Sequence, residues 1–112
     1  MEVQLLEGDS YTTVYIIGEV DAYSSIEVQS TLQNLLLKGQ KNIHINCENL
    51  EYISSAGLGA FMSLFEEIQN QNGQMVFSNM KPKVYNVFQL LGLDQIMTIV
   101  NNSQEAVTFF NN

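Results

Sequence analysis

The residues with the most chemical potential are Ile53-Ser54-Ser55-Ala56-Gly57-Leu58-Gly59, two adjacent hydroxyls followed by small residues. The stretch before them, Glu48-Asn49-Leu50-Glu51, reads as an acidic loop, and an apolar helical pattern begins at Leu58. A helix N-terminus carries unpaired N–H groups and a partial positive charge, so a small hydroxyl placed there caps the helix. The same groups favour a phosphate on that hydroxyl. The segment therefore reads as a helix cap or as a phosphorylation switch.

Other chemistry fits less well. Ser55, His44 and Asp21 or Asp94 supply the residue types of a hydrolytic triad, but Ile53 stands where a Gly-x-Ser-x-Gly elbow needs its first glycine. Gly57 and Gly59 lack both the third glycine of a dinucleotide loop and the lysine of a P-loop. Small residues there let the chain turn and the helix approach the sheet closely. His44 is the single histidine, has no Cys/His partner at ligand spacing, and is expected to be a partly exposed strand residue. Cys47, the single cysteine, forms no intrachain disulfide and is expected to behave as a small buried hydrophobe. The carboxylates are scattered. No catalytic residue, metal site or cofactor is expected.

The elements that must position the serines follow from the hydrophobic pattern. Val3 to Leu6 and Tyr11 to Ile17, separated by Glu7-Gly8-Asp9-Ser10, predict a hairpin. Gly18-Glu19-Val20-Asp21 reads as a loop, and Ser24 with Glu27 has the spacing of a capping box. Val28, Leu32, Leu35 and Leu36 then mark one face of a helix that Gly39 ends. Asn42 to Cys47 is a strand; Leu58, Phe61, Phe65 and Ile68 form the stripe of a second helix, stopped by Asn72-Gly73. Ala60 and Met62 fall off that stripe, which predicts exposed apolar surface beside the serines. Gln74 to Ser78 is a strand, and Pro82 opens a third helix with a stripe of Val84, Val87, Phe88 and Leu91 and Gly92 at its end. Ile96 to Val100 is the fifth strand, and Asn102 to Phe110 a last helix packing through Ala106, Val107 and Phe110. The order ββαβαβαβα predicts an α/β fold: a mixed five-stranded sheet with about four helices, in one domain over residues 1–112.

Composition narrows the partners. Of 112 residues, 46% are hydrophobic and 14% charged, which suits one packed core without staples. Four lysines and no arginine against twelve acids give a net charge of −8. That disfavours nucleic acid and anionic membranes, both of which select basic faces, and favours a protein with a basic groove. Met1-Glu2-Val3-Gln4 lacks the pattern of a signal peptide, and no apolar run approaches the ~18 residues of a membrane span. A soluble, cytoplasmic protein is expected, and its small core and acidic surface favour a monomer.

Three stretches together resemble the STAS domain, specifically the bacterial anti-sigma factor antagonists. Gly18-Glu19-Val20-Asp21-Ala22 is similar to the family's loop after its second strand. Leu50-Glu51-Tyr52-Ile53-Ser54-Ser55-Ala56-Gly57-Leu58-Gly59 resembles its phosphorylation segment, the most specific of the three. Leu90-Leu91-Gly92-Leu93-Asp94, then a strand and Glu105-Ala106, resembles its C-terminal third. The resemblance implies a non-enzymatic binding switch in transcription regulation. The unphosphorylated protein sequesters an anti-sigma factor that is also a serine kinase, so a sigma factor is released; phosphorylation ends the complex, and a serine phosphatase resets it. It assigns the phosphoacceptor to Ser55, with Ser54 as the alternate, and the partner surface to Asp21, Ser54, Ser55, Ala56, Gly57 and Leu58. This chain has Ser54 where the family commonly has an acid, and Ala56 where it often has a second hydroxyl. Some family members are constitutive adaptors in larger complexes, for example in lipid transport, and that is the alternative role.

Overall fold

Strand β2 (Thr12–Val20) organises the sheet, with β1 (Glu2–Glu7) antiparallel on one edge and Leu5 opposite Val14. After it come α1 (Ser24–Leu37), β3 (Asn42–Asn46), β4 (Leu50–Ile53), α2 (Ser55–Asn70), β5 (Gln74–Ser78) and α3 (Pro82–Leu90). A short 3-10 turn (Leu93–Gln95), β6 (Thr98–Val100) and α4 (Ser103–Phe110) complete the computed structural model, which describes residues 1–111. The sheet order is β1-β2-β3-β5-β6, with β4 alongside β2. Strands β2, β3, β5 and β6 are parallel, so each step needs a crossover, and α1, α2 and α3 supply them. The expected α/β class, mixed sheet and four helices hold, with one strand more than five.

The added strand is β4, which begins within the stretch read as an acidic loop, at Leu50 and Glu51, and runs on to Ile53. Thr12–Tyr15 of β2 pairs with β3, whereas Gly18–Val20 pairs with β4 after a register shift at Gly18. One strand thus serves two partners end to end, and β2 runs three residues beyond Ile17, through the expected loop. Gly18 has φ +100° and donates its N–H to Asn49 O at 2.9 Å, a backbone state open to glycine. In β4 only Leu50 and Ile53 are buried, while Glu51 and Tyr52 between them are exposed. Without alternation there is no period-2 signal to read.

On one face of the sheet, Phe77 of β5 meets Phe61 of α2 and Phe88 of α3 edge-on, with ring centroids 5.2 and 5.4 Å apart. All three rings are fully buried, with Val14, Ile16, Ile43 and Ile45 beside them. The stripe of α2 runs through Leu64 rather than Phe65, which is half-buried. Ala60 is buried and Met62 is half-buried against the core, so these two do not form the exposed apolar surface expected there. Leu91, placed in the stripe of α3, is exposed.

The opposite face carries α4. Here His44 is only 3% exposed, contrary to the partly exposed residue expected. Its Nδ1 lies 3.3 Å from Thr13 Oγ1 and its Nε2 2.6 Å from Ser78 Oγ. Two polar partners make that burial tolerable. Burial nevertheless holds the imidazole below its usual pKa. Asn79 Nδ2 donates to Ser78 Oγ at 3.0 Å and to Ser103 Oγ at 2.9 Å, and Asn46 Nδ2 donates to Ser103 Oγ at 3.2 Å, fastening the start of α4. Tyr11 stacks on Phe110 at the other end of that helix, 4.5 Å between centroids. Cys47 is buried as expected, its thiol pushed up to about 12 by burial.

Candidate functional site

Strand β4 delivers Ser54 to the carboxyl end of β2. The Ser54 N–H donates to Val20 O at 2.8 Å, which ties the two strand ends together. Ser54 is extended (φ −85°, ψ 170°), its Oγ accepts from the Gly57 N–H at 3.2 Å, and its carbonyl accepts from the Leu58 N–H at 3.0 Å. Ser54 is therefore the N-cap, and α2 begins at Ser55, three residues before Leu58. Both functions read from the two serines are separated in space: Ser54 closes the helix and is half-buried, while Ser55 is exposed at the first helical position. Among the described residues the Ser55 hydroxyl makes no hydrogen bond.

Of the other residues assigned to the partner surface, Asp21 and Ala56 are exposed, but Gly57 and Leu58 are buried and face inward. A Cβ on Gly57 would sit 2.8 Å from Ile53 Cγ1 and 2.9 Å from Val20 Cγ1. Gly57 thus lets the first turn of α2 press onto the ends of β2 and β4, and Leu58 anchors that turn in the core. Both are placed to support Ser55 from below.

The loop beside the serine is built around Asp21. Its Oδ1 accepts from the Ser24 N–H at 2.8 Å and the Tyr23 N–H at 3.0 Å, and lies 3.0 Å from Ser24 Oγ. The Ser24 hydroxyl is also 3.2 Å from Glu19 O. The expected Ser24–Glu27 capping box is not formed: Asp21 holds the start of α1, because a carboxylate is the stronger acceptor and the turn places it on the free N–H groups. The Ser24 N–H, then its hydroxyl, then the Tyr23 N–H hold the Asp21 carboxyl below the usual range, so it is charged at neutral pH. Val20 links the two features, since it precedes Asp21 and accepts from Ser54.

A third feature escaped the sequence. Glu51 Oε2 is 3.4 Å from Lys81 Nζ and its Oε1 is 3.1 Å from Lys83 Nζ, which ties the start of α3 to β4. The Lys83 hydrogen bond, then the charge of Lys81, lower the pKa of Glu51. The three residues come from elements thirty positions apart, and no local pattern announces them. His44, by contrast, is engaged with Thr13 and Ser78 on the other face, so the Ser-His-Asp triad is not assembled.

An exposed serine thus stands on a capped helix start, next to the loop that carries the charged Asp21. The chain belongs to the STAS domain family, whose model matches residues 2–106. It is similar to the anti-sigma-B factor antagonist of Listeria monocytogenes, 24% identical over 102 residues and covering 90% of each chain. An anti-sigma factor antagonist from Mycobacterium paratuberculosis superposes with a TM-score of 0.90 at 17% identity, over 99% of this chain and 94% of that one. The unphosphorylated form of the anti-sigma factor antagonist SpoIIAA superposes with a TM-score of 0.80 at 19% identity, over 99% of both chains. At these identities the superpositions speak for the fold. Among the described residues no helix is long and apolar enough to cross a membrane.

Proposed function

We propose that the 112 residues act as a single STAS module in the bacterial cytoplasm: an anti-sigma factor antagonist that binds rather than catalyses. In the unphosphorylated state it captures an anti-sigma factor with serine-kinase activity and so frees a sigma factor. The kinase phosphorylates Ser55, the complex separates, and a serine phosphatase restores the binding form. The observation that carries this reading is the division of labour between the serines: Ser54 caps α2, leaving Ser55 exposed and chemically free beside the Asp21 loop. The sequence relatives named as anti-sigma-B factor antagonists support the same role.

Phosphorylation adds about −1.5 to −2 charges at pH 7. At the N-terminus of α2 the helix dipole tolerates that charge, so the fold stays as it is. At an interface the dianion is bulky and, once buried without a partner, desolvated, and binding suffers. A loss of ~3 kcal/mol weakens a complex more than a hundredfold.

The test is peptide mass spectrometry after incubation with ATP and native cell extract, run on wild type and Ser55→Ala. One phosphate on Ser55, absent in the variant, is expected. With the captured partner, Ser55→Asp then loses binding while Ser55→Ala stays competent. Phosphate on Ser54 instead would keep the mechanism and move the site. No phosphate, in an extract of shown kinase competence, would favour a constitutive adaptor subunit, a role that Ser54 in place of the usual acid also suits.

A further inference from the structure

Helix α1 carries two apolar directions, and only one is used by the fold. Val28, Leu32, Leu35 and Leu36 are buried, whereas Tyr23 and Ile26, one turn apart at its start, are 85% and 66% exposed. With Met1, Ser24, Glu27 and Ser30 they line a groove of about 510 Å³. Single exposed hydrophobes are ordinary; several lining one concave surface are the mark of a docking site.

What surrounds the groove says what it takes. Ser24 is at once a wall of the groove and the donor to Asp21, and Val20, next to Asp21, accepts from the Ser54 N–H, so a short hydrogen-bonded path joins the groove wall to the Ser54–Ser55 turn. Glu27 lines it, and the Asp21 carboxylate borders it through the Ser24 hydroxyl. The lysines lie elsewhere: Lys38 and Lys41 at the far end of α1 and the start of β3, Lys81 and Lys83 on Glu51. An apolar floor with an acidic border fits an apolar side chain flanked by Lys or Arg. A second copy of this chain, at net charge −8, meets like charge there.

We infer that the groove beside Tyr23 and Ile26 is the anchoring half of the partner surface, occupied by an amphipathic, basic-flanked helix of the protein that reads Ser55. This rests on the function proposed above and deepens it. Ser55 supplies the switch, and Tyr23 and Ile26 supply contact area that phosphorylation does not touch.

The test uses the full chain, ¹⁵N-labelled, and a synthetic amphipathic peptide of roughly 18 residues, leucine on one face and lysine on the other, long enough to hold a helix. Saturable shifts centred on Tyr23, Ile26, Glu27 and Ser30 are expected, together with loss of binding when lysine is replaced by glutamate in the peptide. Ile26→Ser, or Tyr23→Ser should that variant fold poorly, weakens binding by about tenfold or more. Leu90→Ser, which removes an apolar side chain 84% exposed on α3, leaves it unchanged. Shifts spread over the whole acidic surface, or equal losses in Ile26→Ser and Leu90→Ser, would overturn the assignment. So would self-association of the free protein that Ile26→Ser abolishes, because the occupant would then be a second copy. Neither kinase nor phosphate enters this assay, so a failed titration leaves the Ser55 switch standing, and an unphosphorylated Ser55 leaves the groove result standing.

Discussion

Beneath α1, α2 and α3 the sheet presents Val14, Ile16, Ile43, Ile45 and Phe77; beneath α4 it presents Thr13, His44, Asn46 and Ser78. These are alternate residues of the same strands, so the comparison holds backbone and strand pairing nearly constant and varies only the chemistry of the face. The apolar face is non-directional: many arrangements bury methyl groups and rings comparably well, and its strength is area. The polar face is directional. His44, Ser78, Asn79, Ser103 and Asn46 satisfy one another in one register of α4, and among the described residues no buried side-chain polar atom is left unpartnered. The candidate site sits on the apolar side, where α1 and α2 start, so it is held by packing and caps rather than by the polar network.

The largest expected effect comes from cutting the apolar face at its centre. Phe77 bridges Phe61 and Phe88, and Phe77→Ala should cost about 3–5 kcal/mol, enough to unfold a protein of this size near physiological temperature. Denaturant melts followed by circular dichroism check this. A loss below ~1 kcal/mol would mean that the aromatic trio is not the centre of the core.

Gly57→Ala comes next. The added methyl must displace Ile53 and Val20, both at strand ends under the first turn of α2, so a loss of about 1–3 kcal/mol is expected. Gly59→Ala, two residues on, meets nothing within 4 Å and should stabilise the helix slightly. The pair separates the two glycines of the motif: one is required by close approach, the other is not. Equal effects at both positions would place the constraint in helix propensity instead.

On the polar face the prediction is a pH dependence. Burial lowers the folded-state pKa of His44 below 6.5, so the unfolded chain binds the proton first. Stability contributed by neutral His44 is therefore complete above pH 6.5 and falls as the pH drops below it, toward the folded pKa. Asp21 and Glu51 also have lowered pKa values, but their contribution is lost only as the pH falls below their ordinary values, 3.8 for Asp21 and 4.5 for Glu51. Melts between pH 7 and 5 should thus show a loss that His44→Gln flattens. Ser78→Ala, which leaves the imidazole short of a partner, should cost about 1–3 kcal/mol at pH 7. An unchanged pH profile in His44→Gln would mean that the ring is protonated equally in both states.

The contrast also explains what was legible in the residues themselves. Elements with a strong period were readable: β5 falls on Gln74–Ser78, α3 opens on Pro82, and Gly39 and Gly92 end α1 and α3. The polar face was not, because Thr13, His44 and Ser78 meet only through strand pairing across more than thirty residues. Strand β4 was lost because it is buried only at its two ends, and β2 beyond Ile17 because the bulge at Gly18 looks like a turn. At the site a helix cap was legible, but the residue types alone did not say which serine supplies it, and only the family resemblance singled out Ser55 from Ser54 as the acceptor. The acid at the start of α1 was not legible either: Ser24 with Glu27 has the spacing of a capping box, and only the turn geometry gives the free N–H groups to Asp21 instead.

The smallest effects test that choice of serine directly. Ser54→Ala removes the side-chain acceptor of the Gly57 N–H and should cost about 1 kcal/mol, with Ser55 still exposed and, on the proposed function, still open to phosphorylation. Ser54→Asp restores an acceptor of comparable capping strength and adds a charge that the helix dipole favours, so stability should return to within about 0.5 kcal/mol of wild type. It also places an acid immediately before Ser55, the residue type the family resemblance leads one to expect there. If kinase recognition reads that acid, the rate of Ser55 phosphorylation rises in Ser54→Asp while the melting curve stays put. If the cap alone matters, Ser54→Asp and wild type are phosphorylated equally and Ser54→Ala more slowly. A variant that loses stability in both substitutions would mean that the Ser54 hydroxyl, not merely an acceptor at that position, is what the turn requires.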